Sequence, residues 1–198
     1  MVRLFKYLPM ATENKAFYDA VTCVLSCALQ ADSEIQRLAE ERKKALEMVD
    51  EYPFILVEII GSSEEALAEK HMASIFLKNY FHDIFMGKTE SQIFKSPITL
   101  CRLCLGLVDL LRLNFVSIKT MVCKSLSYIA FKGFWGIIDH KIFPMLKSEN
   151  EEQVYNAVFF LKQCMNYDEF KIGGPLKTNP EYFEVLLTIF QRMLLPQV

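Results

Sequence analysis

Apolar residues recur with helical spacing along almost the whole chain, in short segments that restart at regular intervals. The second helix of each successive pair is predicted to begin near Glu34, Glu64, Val116 and Glu149. The mean interval is about 38 residues, a length typical of two-helix repeats. Because one short pair cannot bury its apolar faces alone, neighbouring pairs must stack and share a core. The pattern predicts an all-α protein: a right-handed α-solenoid of about four helix pairs and a final helix. An irregular helical bundle is the alternative.

The sequence also predicts where the helices begin and end. An irregular segment over 1–14 precedes helices over 15–30, 34–49, 53–60, 64–85, 91–113, 115–131, a stretch that ends near 147, 149–165 and 180–195. Residues of the N-terminal capping type precede several of them: Ser33 with Gln36, Ser62 with Glu65, Asn114, and Ser148. Gly87 and the run Gly173-Gly174-Pro175 are predicted breaks. Residues 15–198 then form one repeat domain of the HEAT/armadillo type.

The composition and charge distribution exclude several classes of protein. The chain is 52% hydrophobic with only seven glycines and seven prolines, which does not fit a disordered protein or a β-sandwich. The longest uncharged stretch, 20–31, is too short for a transmembrane helix, and the first residues lack the sustained apolar region that is typical of a signal peptide. We therefore expect a nuclear or cytoplasmic protein without membrane insertion. Over 91–147 only Asp109 and Asp139 oppose eight basic residues, which we interpret mainly as solvated helix faces.

The cysteines and histidines form no recognisable reactive or metal-binding pattern. Cys23 and Cys27, and likewise Cys101 and Cys104, lie within helical segments, so we predict that they act as small buried apolar residues. The three histidines have no neighbouring nucleophile or ligand set: His71, His82 and His140. Neither a metal, a cofactor nor an enzymatic activity is predicted.

Several short phrases together resemble a known family. They are Leu38-Ala39-Glu40, Tyr52-Pro53, Ile59-Ile60, Ala73 and Leu77-Lys78-Asn79. In combination they resemble the opening signature of the importin-β (karyopherin-β) superfamily of nuclear transport receptors. The later segments 131–135 and 143–148 resemble the part of the superfamily that opens the fourth repeat. The segments 158–164 and 167–171, with Pro175-Leu176, are most similar to the importin seven and importin eight group. Those receptors are longer solenoids, so the likeness concerns their N-terminal end. The sequence leaves open a fragment, a truncated gene product and a divergent short homologue.

The resemblance implies a function and a set of partners. In the superfamily, the second helices of the first repeats bind the small GTPase Ran in its GTP form, which releases import cargo. Carried onto this chain, the candidate Ran-binding residues are Arg37, Glu40, Glu41, Lys44, Glu69, Lys70, Lys78 and Lys119. Cargo proteins and Phe-Gly nucleoporins are further implied partners. The implied location is the nucleus and cytoplasm, including the nuclear envelope.

Other functions remain open at this stage. Each candidate residue is also compatible with an ordinary solvated helix face. A HEAT-type scaffold that does not bind Ran is one alternative. A nucleic-acid binder that uses the basic segment 91–147 is another, although Lys119, Lys124 and Lys132 do not form one stripe.

Overall fold

The computed structural model describes residues 12–165 and 180–194, and within these residues every regular element is helical. The nine α-helices are α1 (Thr12–Ala28), α2 (Ser33–Leu46), α3 (Tyr52–Gly61), α4 (Leu67–Phe85), α5 (Pro97–Asp109), α6 (Val116–Ile129), α7 (Trp135–Leu146), α8 (Glu151–Met165) and α9 (Pro180–Leu194). The predicted all-α class is confirmed. Residues 12–14, predicted to be irregular, are helical, so α1 begins earlier than expected. The predicted break at Gly173-Gly174-Pro175 lies outside the described residues.

The chain divides into two compact units, with the boundary between Ala73 and Ser74, inside α4. In the first unit, α1 packs against α2 and α3. Its core consists of fully buried aliphatic and aromatic side chains that α1 and α3 contribute, among them Val21, Leu25, Tyr52, Leu56, Ile59 and Ile60. Helix α3 is apolar on nearly all sides because it is buried on more than one face.

In the second unit, the first helices of successive pairs pack against each other, and so do the second helices. Helix α5 packs against α7, and α6 packs against α8. Lys119 bonds Asn156, and Ser127 lies 3.1 Å from the sulfur of Cys164, so both contacts join residues 37 positions apart. An equal offset at two places means that α6 and α8 run parallel and in register. In this unit each helix of one pair therefore packs against the corresponding helix of the next pair.

Helix α2 is capped by Asp32 rather than by the predicted Ser33. The Asp32 carboxylate accepts hydrogen bonds from the backbone N–H of Glu34 at 2.8 Å and of Ile35 at 3.2 Å. The side chain of Gln36 does not return to the cap, because it donates to the carbonyl of Gln30 at 2.6 Å. The predicted capping box is therefore wrong by one residue. A carboxylate at this position also interacts favourably with the helix dipole.

This cap gives a direct stability prediction. We expect Asp32→Ala to lower the free energy of unfolding by about 1 kcal/mol, because two N–H groups lose their acceptor. Ser33→Ala, at the residue that the sequence pattern favoured, should change it by less than about 0.5 kcal/mol. Urea unfolding of the two variants would measure the difference. A larger loss of stability in Ser33→Ala than in Asp32→Ala would contradict the assignment of Asp32 as the cap.

Three further predicted caps are also wrong. Ser62 ends α3 and bonds the N–H of Glu64 in a turn, while α4 begins only at Leu67. The residue before α6 is Phe115, which gives no side-chain cap, so Asn114 does not cap that helix. Helix α8 is capped by Asn150, two residues after the predicted Ser148.

The predicted helix over 91–113 is interrupted. A 3₁₀ turn over Gln92–Lys95 precedes α5, and a second one over Leu110–Arg112 follows it. The hydroxyl of Ser96 caps α5 by accepting from the N–H of Thr99. Pro97 then occupies the first helical position, which needs no N–H donor. This arrangement divides one predicted helix into a short turn and a capped helix.

Helices α6 and α7 are joined by a wide turn over Ala130–Phe134 in which Gly133 adopts a φ of +97°. Only glycine enters this region without steric cost. Gly133→Ala should lower the free energy of unfolding by about 1–2 kcal/mol, although no atom lies within 4 Å of the added carbon. Gly136→Ala, within α7 and equally free of neighbours, should raise it by about 0.5–1 kcal/mol. Thermal unfolding of both variants measures the two changes in stability. A change in the same direction for both variants would contradict the prediction.

Candidate protein-binding surface

The exposed face of α2 carries a network of charges around Arg37. Its guanidinium donates to the Glu34 carboxylate, at 2.6 Å from Nη2 and 3.0 Å from Nε, and it also donates to Glu41 one turn further on. The hydrogen bonds from Arg37 hold the pKa of Glu34 below its usual range. These pairs are open to solvent, so they add little to stability. They place Arg37 between Glu34 and Glu41 on the exposed side of the helix.

The helical spacing of α2 predicts one apolar face over Ile35, Leu38, Ala39, Arg42, Ala45, Leu46 and Val49, from which the head of Arg42 reaches solvent. Leu38 is 51% exposed, and the spacing of the helix puts it beside Glu41 and Arg42. The predicted apolar face is therefore partly wrong: Ala39 is buried, but Leu38 and Ala45 are exposed. The face that packs is rotated toward Ala39 and Lys43.

Lys43 is a buried cation of α2 that sequence reasoning missed. Its ammonium lies 2.9 Å from Glu40 and 3.6 Å from Glu47, and little of the side chain is exposed. The i, i+3 and i, i+4 spacings to two glutamates were the signal that could have identified it. Of the predicted site residues, Glu40 is thus engaged by Lys43. Lys44 is exposed and forms no ion pair with the described residues.

Two predicted Ran-binding candidates, Glu69 and Lys70, lie at the start of α4, and Glu69 is already engaged within the chain. Glu69 accepts a hydrogen bond from the Ser26 hydroxyl at 2.6 Å, which lowers the pKa of Glu69. The nearby Glu65 accepts from the Tyr18 hydroxyl at 2.7 Å, and burial together with this bond raises the pKa of Tyr18. These contacts attach α1 to the start of α4. Lys70 is half-buried and has no carboxylate partner among the described residues.

The remaining two candidates lie in the second unit. Lys78, on α4, is half-buried, and its pKa is lowered by burial and by the nearby ammonium of Lys124 on α6. Lys119 is only 6% exposed, because α6 turns it toward α8, where it donates to Asn156. The expectation that Lys119 lies on a solvated face is wrong. The periodicity of α6 alone did not reveal that a parallel neighbour would cover this position.

The second unit also contains a shallow open cleft beside the turn between α6 and α7. Its volume is about 390 Å³, and Ile84, Phe94 and Phe134 supply the apolar part of the lining, with Lys95 and Lys132 at the same cleft. The rings of Phe94 and Phe134 lie 5.4 Å apart. The sequence contains 16 phenylalanines, but the pattern alone did not predict which of them line a groove.

The cysteines differ from one another in burial. Cys104 is buried, as predicted, and burial raises its pKa to about 12. Cys23 and Cys101 are exposed and Cys27 is half-buried, so the prediction of burial is wrong for the exposed pair. Among the described residues, no group of three or more histidine, cysteine, aspartate or glutamate side chains is placed to hold a metal ion.

No protein-family model matches the chain. Within the described residues, none of the helices combines the length and apolar character needed to cross a membrane.

Proposed function

We propose that this chain is the N-terminal part of an importin-β-type nuclear transport receptor, an α-solenoid of HEAT type that binds Ran-GTP. The observation that carries the proposal is the regular stacking in the second unit, with α5 on α7, α6 on α8 and an offset of 37 residues between bonded partners. Such an offset is the expected consequence of a two-helix repeat.

The candidate Ran-binding surface is the exposed face of α2. Arg37 and Glu41 are held by ion pairs, Lys44 is exposed, and Leu38 offers an apolar contact among them. A folded GTPase requires polar and apolar side chains at fixed positions over several turns, and this helix supplies them. Lys70 and Lys78 are the supporting candidates on α4. Cargo and Phe-Gly nucleoporins are proposed as further partners, with the nucleus and cytoplasm as the proposed location.

Calorimetric titration with Ran tests the proposal. The chain should bind Ran loaded with a non-hydrolysable GTP analogue and should not bind Ran-GDP. Lys44→Glu should weaken the interaction at least tenfold, because it reverses an exposed charge on the proposed surface. Lys15→Glu is the matched control, since Lys15 is exposed on α1, the first helix of the same pair. If a folded, helical chain binds neither form, the scaffold alternative is favoured.

A further inference from the structure

The cleft in the second unit is formed by two turns whose glycines adopt positive φ. Gly87, with a φ of +71°, follows α4 and lines the cleft. Gly133, with a φ of +97°, lies between Lys132 and Phe134, and both of these residues line the cleft as well. Glycine enters this backbone region without steric cost, so the local sequence permits both turns. The cleft of about 390 Å³ is therefore lined by two distant segments that meet only in the folded chain.

An aromatic pair supplies apolar surface inside the cleft. The ring centroids of Phe94 and Phe134 lie 5.4 Å apart, and both side chains are half-buried. Phe94 also contacts the buried ring of Phe81 edge to face, at 6.3 Å between centroids, so its ring joins the core to the cleft. An apolar side chain placed in the cleft would remove the remaining exposed part of the two rings from water, which is favourable.

The charged side chains at the cleft are mainly basic. Lys95 and Lys132 are exposed, and neither ammonium forms an ion pair with the described residues. Glu90, also exposed, is the one carboxylate among the described residues that line the cleft. The segment 91–147, which includes both lysines, contains eight basic residues against two acidic ones. This excess of positive charge complements an acidic partner and raises the rate at which the two meet.

We propose that this cleft binds a short segment of a protein partner in which one bulky apolar side chain is flanked by acidic residues. The apolar side chain lies against Phe94 and Phe134, and the flanking carboxylates pair with the ammonium groups of Lys95 and Lys132. Charge complementarity selects the acidic flanks, because the two lysines outnumber the single glutamate. The inference does not depend on binding of Ran, since the proposed Ran surface lies on α2 in the first unit.

The shape of the cleft favours a peptide segment over other ligands. Pockets for small molecules enclose about 70–90% of the ligand surface, whereas this cleft is shallow and open. A folded domain would bury about 800 Å² on each partner, far more than a cleft of this size provides. Nucleic-acid affinity comes mainly from a track of cations along the backbone, and two lysines beside one glutamate do not form such a track.

Titration of the whole ¹⁵N-labelled chain with the pentapeptide Glu-Glu-Phe-Glu-Glu, followed by NMR, tests the proposal. The amide signals of Gly87 and Phe134 should shift on binding, whereas those of α2 should not. A peptide with serine in place of its phenylalanine should bind about tenfold more weakly, because the apolar contact is lost. A peptide with serine in place of its four glutamates should also bind about tenfold more weakly. No shift at the cleft, or equal binding of either altered peptide, would overturn the proposal without any change to the protein.

Variants of the chain separate the cleft from general charge attraction. Lys95→Gln/Lys132→Gln should weaken binding of the native pentapeptide about tenfold, the value of two exposed ion pairs. Lys141→Gln/Lys162→Gln is the matched control, since it removes the same charge at two exposed lysines that do not line the cleft, and it should change binding less than twofold. Equal losses in the two double variants would overturn the assignment to the cleft.

Two further results bear on the chemistry of the partner. Glu90→Gln should tighten binding of the pentapeptide, because it removes the carboxylate that repels the acidic flanks. Weaker binding by this variant would contradict the proposed pairing. Stronger binding of an oligouridylate than of the pentapeptide, lost in Lys95→Gln/Lys132→Gln, would overturn the assignment to a protein partner.

Discussion

Phe160→Ala is expected to lower the free energy of unfolding by about 3–5 kcal/mol. Phe160 is fully buried on α8, and its ring stacks on Trp135 at 6.1 Å with an interplanar angle of 8°. Truncation leaves a cavity at the point where α7 and α8 meet, and the aromatic pair is also lost. Urea unfolding followed by the fluorescence of Trp135, the single tryptophan, measures the change in this unit.

The control for this substitution is Phe115→Ala, at the start of α6. Phe115 is 43% exposed, so removal of its ring should cost less than about 1 kcal/mol. If the two phenylalanine variants lost equal stability, the burial and stacking of Phe160 would not be the source of the effect.

Tyr182→Phe is expected to cost about 1.5–3 kcal/mol, the range for a hydrogen bond to a charged group. Tyr182 is fully buried, its ring lies 4.8 Å from that of Phe143, and its hydroxyl donates to the Asp139 carboxylate. The substitution preserves the ring packing, so the loss measures the hydroxyl alone. Tyr155→Phe, at an exposed tyrosine of α8, should change stability by less than about 0.5 kcal/mol.

The same tyrosine predicts a dependence of stability on alkaline pH. Burial, and then the bond to Asp139, raise the pKa of Tyr182. The folded state therefore holds the phenolic proton more tightly than the unfolded chain, in which tyrosine titrates near pH 10. This contribution is fully present below about pH 10 and is lost as the pH rises further. Unfolding at several pH values above 9 should show a steeper decline for the native chain than for Tyr182→Phe. Parallel curves would contradict the assignment.

The helical class and the approximate position of each helix could be predicted because they depend on local features. Apolar spacing and breaks such as Gly87, which has a φ of +71°, act over a few residues. The predicted starts of the second helices of each pair differ from the observed starts by at most three residues. The caps were less predictable. Asp32 and Ser33 are both good capping residues, and only the backbone geometry selects one of them.

The candidate site could be predicted less well because burial depends on which helix lies beside each face. Periodicity identified Arg37 and Lys44 as exposed residues of α2, but it placed Leu38 in the core and Lys119 on the surface. Both errors arise because the neighbouring helix decides which side of a helix is covered: it leaves Leu38 exposed and encloses Lys119. A pattern within one helix does not indicate where its neighbour begins.

The sequence by itself determined the all-α class, the order of the helices and their spacing, since these follow from short-range propensity and the period of apolar residues. Only the tertiary structure decided which polar groups are enclosed: Lys43 beside two glutamates, and Lys119 beside Asn156 and two aromatic rings. The physical reason is that the helix that covers a face comes from a distant part of the chain, even where the ion-pair partners, as for Lys43, lie on the same helix. Lys119 and Asn156 are separated by 37 residues and meet only when α6 packs against α8.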